Sequence, residues 1–73
     1  MDLQGHLDAL ALKYQEFAEE TYLSYSTVRM VIAGRPVTKH AVDRILEILS
    51  QKYGKKVERE AVEGLLFSEE TQA

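Results

Sequence analysis

The chain has 73 residues, 45% of them apolar, with no cysteine and a formal charge of −3. One domain fits that length, and a domain this small hides only about 60% of its unfolded surface, so its core must be simple. The absence of cysteine excludes disulfides, thiolate zinc sites and thiol nucleophiles, and suits a reducing, cytoplasmic setting.

Helical periodicity dominates from the start. Leu3, Leu7, Leu10, Ala11 and Tyr14 recur at intervals of three and four, which predicts one apolar stripe on a first helix. Gln15 to Thr21 continues in good helix formers, with a boundary near Lys13–Gln15 and Phe17, Ala18 and Thr21 on one side. Ser24 is a candidate N-cap, because its hydroxyl can accept from a free amide of the next turn. Behind it Val28, Val31 and Ile32 keep helical spacing, and Gly34 with Pro36 ends that helix.

Thr38 caps the next helix, and Val37 and Val42 are placed for a hydrophobic staple. Ala41, Val42, Ile45, Leu46, Ile48 and Leu49 give it a broad apolar face, with Tyr53-Gly54 as its exit. A last helix is predicted at about Glu58–Phe67, carrying Ala61, Val62, Leu65 and Leu66. Residues 68–73 read as a polar, flexible tail. Strand-like alternation is nowhere sustained. The prediction is all-α: a compact bundle of four or five short helices in one domain, residues 1–67.

Little in this chain points to catalysis. The two histidines, His6 and His40, are far apart, and no phosphate-cradling GKS/T loop occurs. Glu16, Glu19 and Glu20 lie on one exposed helix face, without the spacing or pocket of paired catalytic carboxylates. No apolar run approaches the roughly 18 residues of a membrane span, and Met1-Asp2-Leu3-Gln4 lacks signal-peptide character. No enzyme activity, metal, cofactor or small-molecule ligand is therefore expected.

Charge is distributed unevenly. Residues 1–23 set Lys13 against Asp2, Asp8, Glu16, Glu19 and Glu20, for −4. Residues 24–46 set Arg29, Arg35, Lys39 and Arg44 against Asp43 alone, for +3, and residues 47–73 return to −2. Only the central third offers the local positive charge that phosphate contact requires.

That basic centre overlaps a recognisable pattern. Across Gln15 to Val31, two helices joined by a three-residue turn must cross closely. Ala18 is small where the second helix passes, Leu23 plugs the turn, Ser24 caps, and Val28 and Val31 pack inward on Phe17. Gln15, Ala18, Leu23, Ser24, Ser26-Thr27-Val28 and Gly34, with Arg35-Pro36-Val37-Thr38 beyond, resemble the lambda-repressor-like (Cro/cI, XRE-type) helix-turn-helix family over about residues 3–50. LacI-type headpieces share the Ser-x-x-Thr-Val pattern, but normally belong to chains with a large ligand-binding domain. Tyr22 departs from the family, which usually has glycine there because the turn is left-handed; a tyrosine in that conformation costs about 1–2 kcal/mol.

The resemblance implies sequence-specific binding of double-stranded DNA by a minimal transcriptional regulator, with the recognition helix at about Ser24–Ala33 in the major groove. It implies that Tyr25, Ser26, Arg29 and Met30 meet base edges, and that Gln15, Thr27, Arg35, Lys39 and His40 hold the backbone. Each residue also has a plainer reading on the sequence alone. Tyr25, Arg29, Lys39 and His40 fit an ordinary surface, and Met30 fits a core edge. A rival function also stands: a small helical protein–protein interaction module, antitoxin- or adaptor-like, using the acidic faces. Finally, the apolar Glu58–Phe67 helix predicts a homodimer through that segment.

Overall fold

Among the described residues four α-helices follow one another: α1 (Leu3–Ala9), α2 (Tyr14–Thr21), α3 (Tyr25–Ile32) and α4 (Lys39–Tyr53), then a 3-10 turn at Arg59–Ala61. The structure is a computed structural model and describes residues 1–67; the tail predicted at 68–73 lies outside them. Among the described residues there is no strand, only two isolated parallel bridges, Asp2 with Glu63 and Val37 with Phe67. The all-α architecture is the one the periodicity predicts.

Short polar side chains start the helices. Asp2 Oδ1 accepts from the Gly5 amide at 2.9 Å, Ser24 Oγ from Thr27 at 3.1 Å and Thr38 Oγ1 from Ala41 at 3.1 Å. At α2 the Glu16 carboxylate reaches back to the Lys13 amide at 2.9 Å. Each bond pairs a donor that the helix itself leaves free. Left-handed residues follow the helices: Ala11, Tyr22, Gly34 and Gly54.

Leu3, Leu7, Phe17, Val28, Ile45 and Leu49 are almost wholly buried and form the centre of one core. Val37 and Val42 are both buried in it, as a staple flanking the Thr38 cap requires. Leu23, in the turn between α2 and α3, is partly buried against the same cluster.

Two expectations about helix extent are corrected. The first helix does not run to Tyr14; α1 ends at Ala9, and Tyr14 begins α2. The Ala11 amide bonds the Asp8 carbonyl at 3.1 Å and the Leu12 amide bonds the Leu7 carbonyl at 2.9 Å. That pair closes the helix around a left-handed alanine, while Leu10 and Leu12 still rest on the core.

The last helix is also absent. Beyond Arg59–Ala61 the chain is extended at Val62 and turns at Gly64, whose φ is +78°. The Glu63 amide bonds the Met1 carbonyl at 3.0 Å, and the Leu66 carbonyl accepts from Val37 at 3.1 Å. This strap pairs at one point with the start of the chain and at another with the loop before α4. Val62 and Leu65 of this segment are buried in the monomer core, whereas Leu66 is exposed.

Candidate nucleic-acid interface

Burial of Val28 and Val31 fixes how α3 sits, and helical spacing then turns Tyr25, Ser26, Arg29 and Met30 outward. These four side chains, with Ala33 and Arg35, line one open hollow of about 420 Å³. All four residues predicted to meet bases therefore share a surface, and Arg35 of the backbone-contact set joins them. The Arg29 guanidinium carbon lies 6.0 Å from the centre of the Tyr25 ring, one helical turn away. Such stacking holds the guanidinium by its face and leaves its N–H edge free to donate.

Two further hollows adjoin this one through shared residues. Lys13, Tyr14, Gln15 and Tyr25, with Asp8 and Leu12, surround about 510 Å³ at the start of α2. On the other side Leu23, Thr27, Met30, Val37, Thr38 and Ala41 form a notch of about 200 Å³ between α3 and the start of α4. Tyr25 and Met30 are the joints, so Gln15 and Thr27 belong to one continuous face with the α3 residues. The Thr27 hydroxyl lies 2.9 Å from that of Ser24, within the cap.

Lys39 and His40 are exposed in the first turn of α4 but are not among the residues lining these three hollows. Lys39 Nζ pairs with Asp43 at 3.2 Å, both side chains about 60% exposed. A pair so solvated is worth about 0–1 kcal/mol and exchanges readily for another anion.

Three of the remaining cations are ion-paired. Arg44 pairs with Glu47 at 2.6 Å, Lys52 with Glu20 at 2.9 Å and Lys56 with Glu58 at 3.5 Å. Lys13, Arg29, Arg35, Lys55 and Arg59 make no ion pair among the described residues, and the first three of these line the joined hollows. Lys13 and Tyr14 were not singled out by the sequence. Their signal was adjacency to Gln15, masked by the reading of Tyr14 as part of the first helix.

Two other candidates have structural partners. Arg44, counted in the basic centre, donates from Nε to the Thr21 carbonyl at 3.2 Å. His6 is buried, with Nε2 2.9 Å from the Ala61 carbonyl and Nδ1 2.7 Å from the Tyr53 hydroxyl. Because a carbonyl only accepts, Nε2 carries a proton, and in the neutral ring Nδ1 accepts from Tyr53. His6 thus fastens α1 to α4 and to the strap.

Comparison with models of known protein families, with curated proteins and with solved structures finds no match. Among the described residues no helix is long and apolar enough to cross a membrane.

Proposed function

We propose that the protein binds double-stranded DNA sequence-specifically, with α3 in the major groove, as a minimal regulator of the lambda-repressor-like helix-turn-helix type. The observation that carries this reading is the joined face from Lys13 to Thr38, on which Lys13, Arg29 and Arg35, none of them ion-paired among the described residues, gather around α3. Arg29 suits guanine, since its fork can donate to O6 and N7 together. Tyr25 and Ser26 meet neighbouring edges. Lys13, Gln15, Thr27, Arg35, Lys39 and His40 hold phosphates on either side, helped by free amides at the start of α4. One such helix reads only a few base pairs, so two copies on half-sites about 34 Å apart are part of the proposal.

A protein-interaction module is the rival. It is favoured by Tyr22, 86% exposed beside a separate hollow lined by Glu19, Glu20, Arg44, Ile48 and Gln51. Salt dependence separates the two. If Lys13, Arg35 and Lys39 each neutralise one phosphate, affinity for a random-sequence duplex falls about fortyfold per monomer between 50 and 200 mM salt, at a slope of about −0.9 per phosphate. A folded protein with no measurable shift of that duplex at 50 mM salt contradicts the DNA reading and leaves the interaction module.

A further inference from the structure

The notch between α3 and α4 has a composition that the cationic hollow beside it lacks. Leu23, Val37, Ala41 and the Met30 side chain make its walls apolar, and its two polar side chains are the threonines Thr27 and Thr38. Those hydroxyls sit in capping bonds, yet protons are left over. Thr38 Oγ1 accepts from the Ala41 amide, so its own O–H is free to donate. Ser24 Oγ accepts from the Thr27 amide, and one hydrogen bond links the Ser24 and Thr27 hydroxyls, so one O–H of that pair is free as well. Lys39 follows Thr38 directly, and Arg29 and Arg35 line the hollow that shares Met30.

An apolar recess with hydroxyl donors and cations around it fits a small apolar group carried on a polyanion. In duplex DNA the major groove offers one such group, the 5-methyl of thymine, which distinguishes that base from every other unmodified one. We propose that the notch receives a thymine methyl, with Met30 as its wall on the groove side, and with the Thr38 hydroxyl and the one free O–H of the Ser24–Thr27 pair donating to the adjoining phosphate. The inference rests on the DNA reading above and adds to it a specificity: a thymine beside the base pair read by Arg29.

Deoxyuridine tests this directly, because it keeps the pairing edge of thymidine and lacks only the methyl. Duplexes enriched by the protein from a randomised pool are resynthesised with deoxyuridine at one thymidine at a time. The expected result is a single position per half-site where the change weakens binding about three- to fivefold, the effect of one buried methyl. Met30→Ala should bring that ratio below about twofold while keeping the salt slope. Enriched duplexes that bind equally with thymidine and deoxyuridine, or that hold no fixed thymidine, overturn the notch assignment and leave the DNA reading standing. A pool that yields no enriched sequence overturns both.

Discussion

The Arg44 guanidinium carbon lies 5.3 Å from the centre of the Tyr22 ring, while its Nε bonds the carbonyl of Thr21, the last residue of α2. One α4 side chain thus braces the turn into α3 from two sides. Tyr22 needs the brace, because its φ of +59° puts a bulky residue in the left-handed region.

Ala11, at φ +56°, bears the same strain and is exposed. Ala11→Gly should therefore raise stability by about 1 kcal/mol in urea denaturation. Tyr22→Gly should gain less, since it also removes the Arg44 stack, worth about 0.5–1 kcal/mol at exposed sites. An equal or larger gain at Tyr22 would show that the stack contributes nothing.

Tyr53→Phe removes the hydroxyl that donates to His6 Nδ1 and should lower stability by about 1 kcal/mol. Nitrogen NMR of the neutral imidazole should find the proton on Nε2, where the Ala61 carbonyl holds it. A proton on Nδ1 would contradict the clamp.

The strap makes a sharp distinction between two adjacent leucines. Leu65 is 2% exposed and Leu66 47%. Leu65→Ala should cost about 2–5 kcal/mol and Leu66→Ala within about 0.5 kcal/mol, compared by urea midpoints. Similar small effects at both would mean that the strap does not close the core.

What the sequence made legible were features with local chemistry. Ser24 and Thr38 start helices through their own hydroxyls, and Gly34 and Gly54 end them through their own backbone freedom. The end of α1 was hidden because a left-handed alanine carries no such sign and Leu10 continues the apolar spacing. At 58–67 the spacing of Ala61, Val62, Leu65 and Leu66 imitates a helix. What decides that segment is pairing with Met1 and Val37, remote in sequence. In the candidate interface, Tyr25, Ser26, Arg29 and Met30 were legible because the buried Val28 and Val31 set the phase of α3. Lys13 was not, because it joins them only through the crossing of α2.

Ser24→Ala isolates stability from recognition. Losing the cap on α3 should cost about 0.5–2 kcal/mol in denaturation. Base preference among enriched duplexes should be unchanged once the protein is folded. An altered preference would make Ser24 a contact and not only a cap.

The most direct test of the α3 face compares Arg29→Ala with Lys39→Ala on an enriched duplex and on its single-base variants. Each substitution removes one positive charge, so general attraction alone would make the two alike. Arg29→Ala should lose about 1–3 kcal/mol on the enriched duplex and flatten discrimination at one base pair. Lys39→Ala should weaken all duplexes equally and lower the salt slope by about one. Equal, sequence-independent losses from the two variants would contradict base reading by α3.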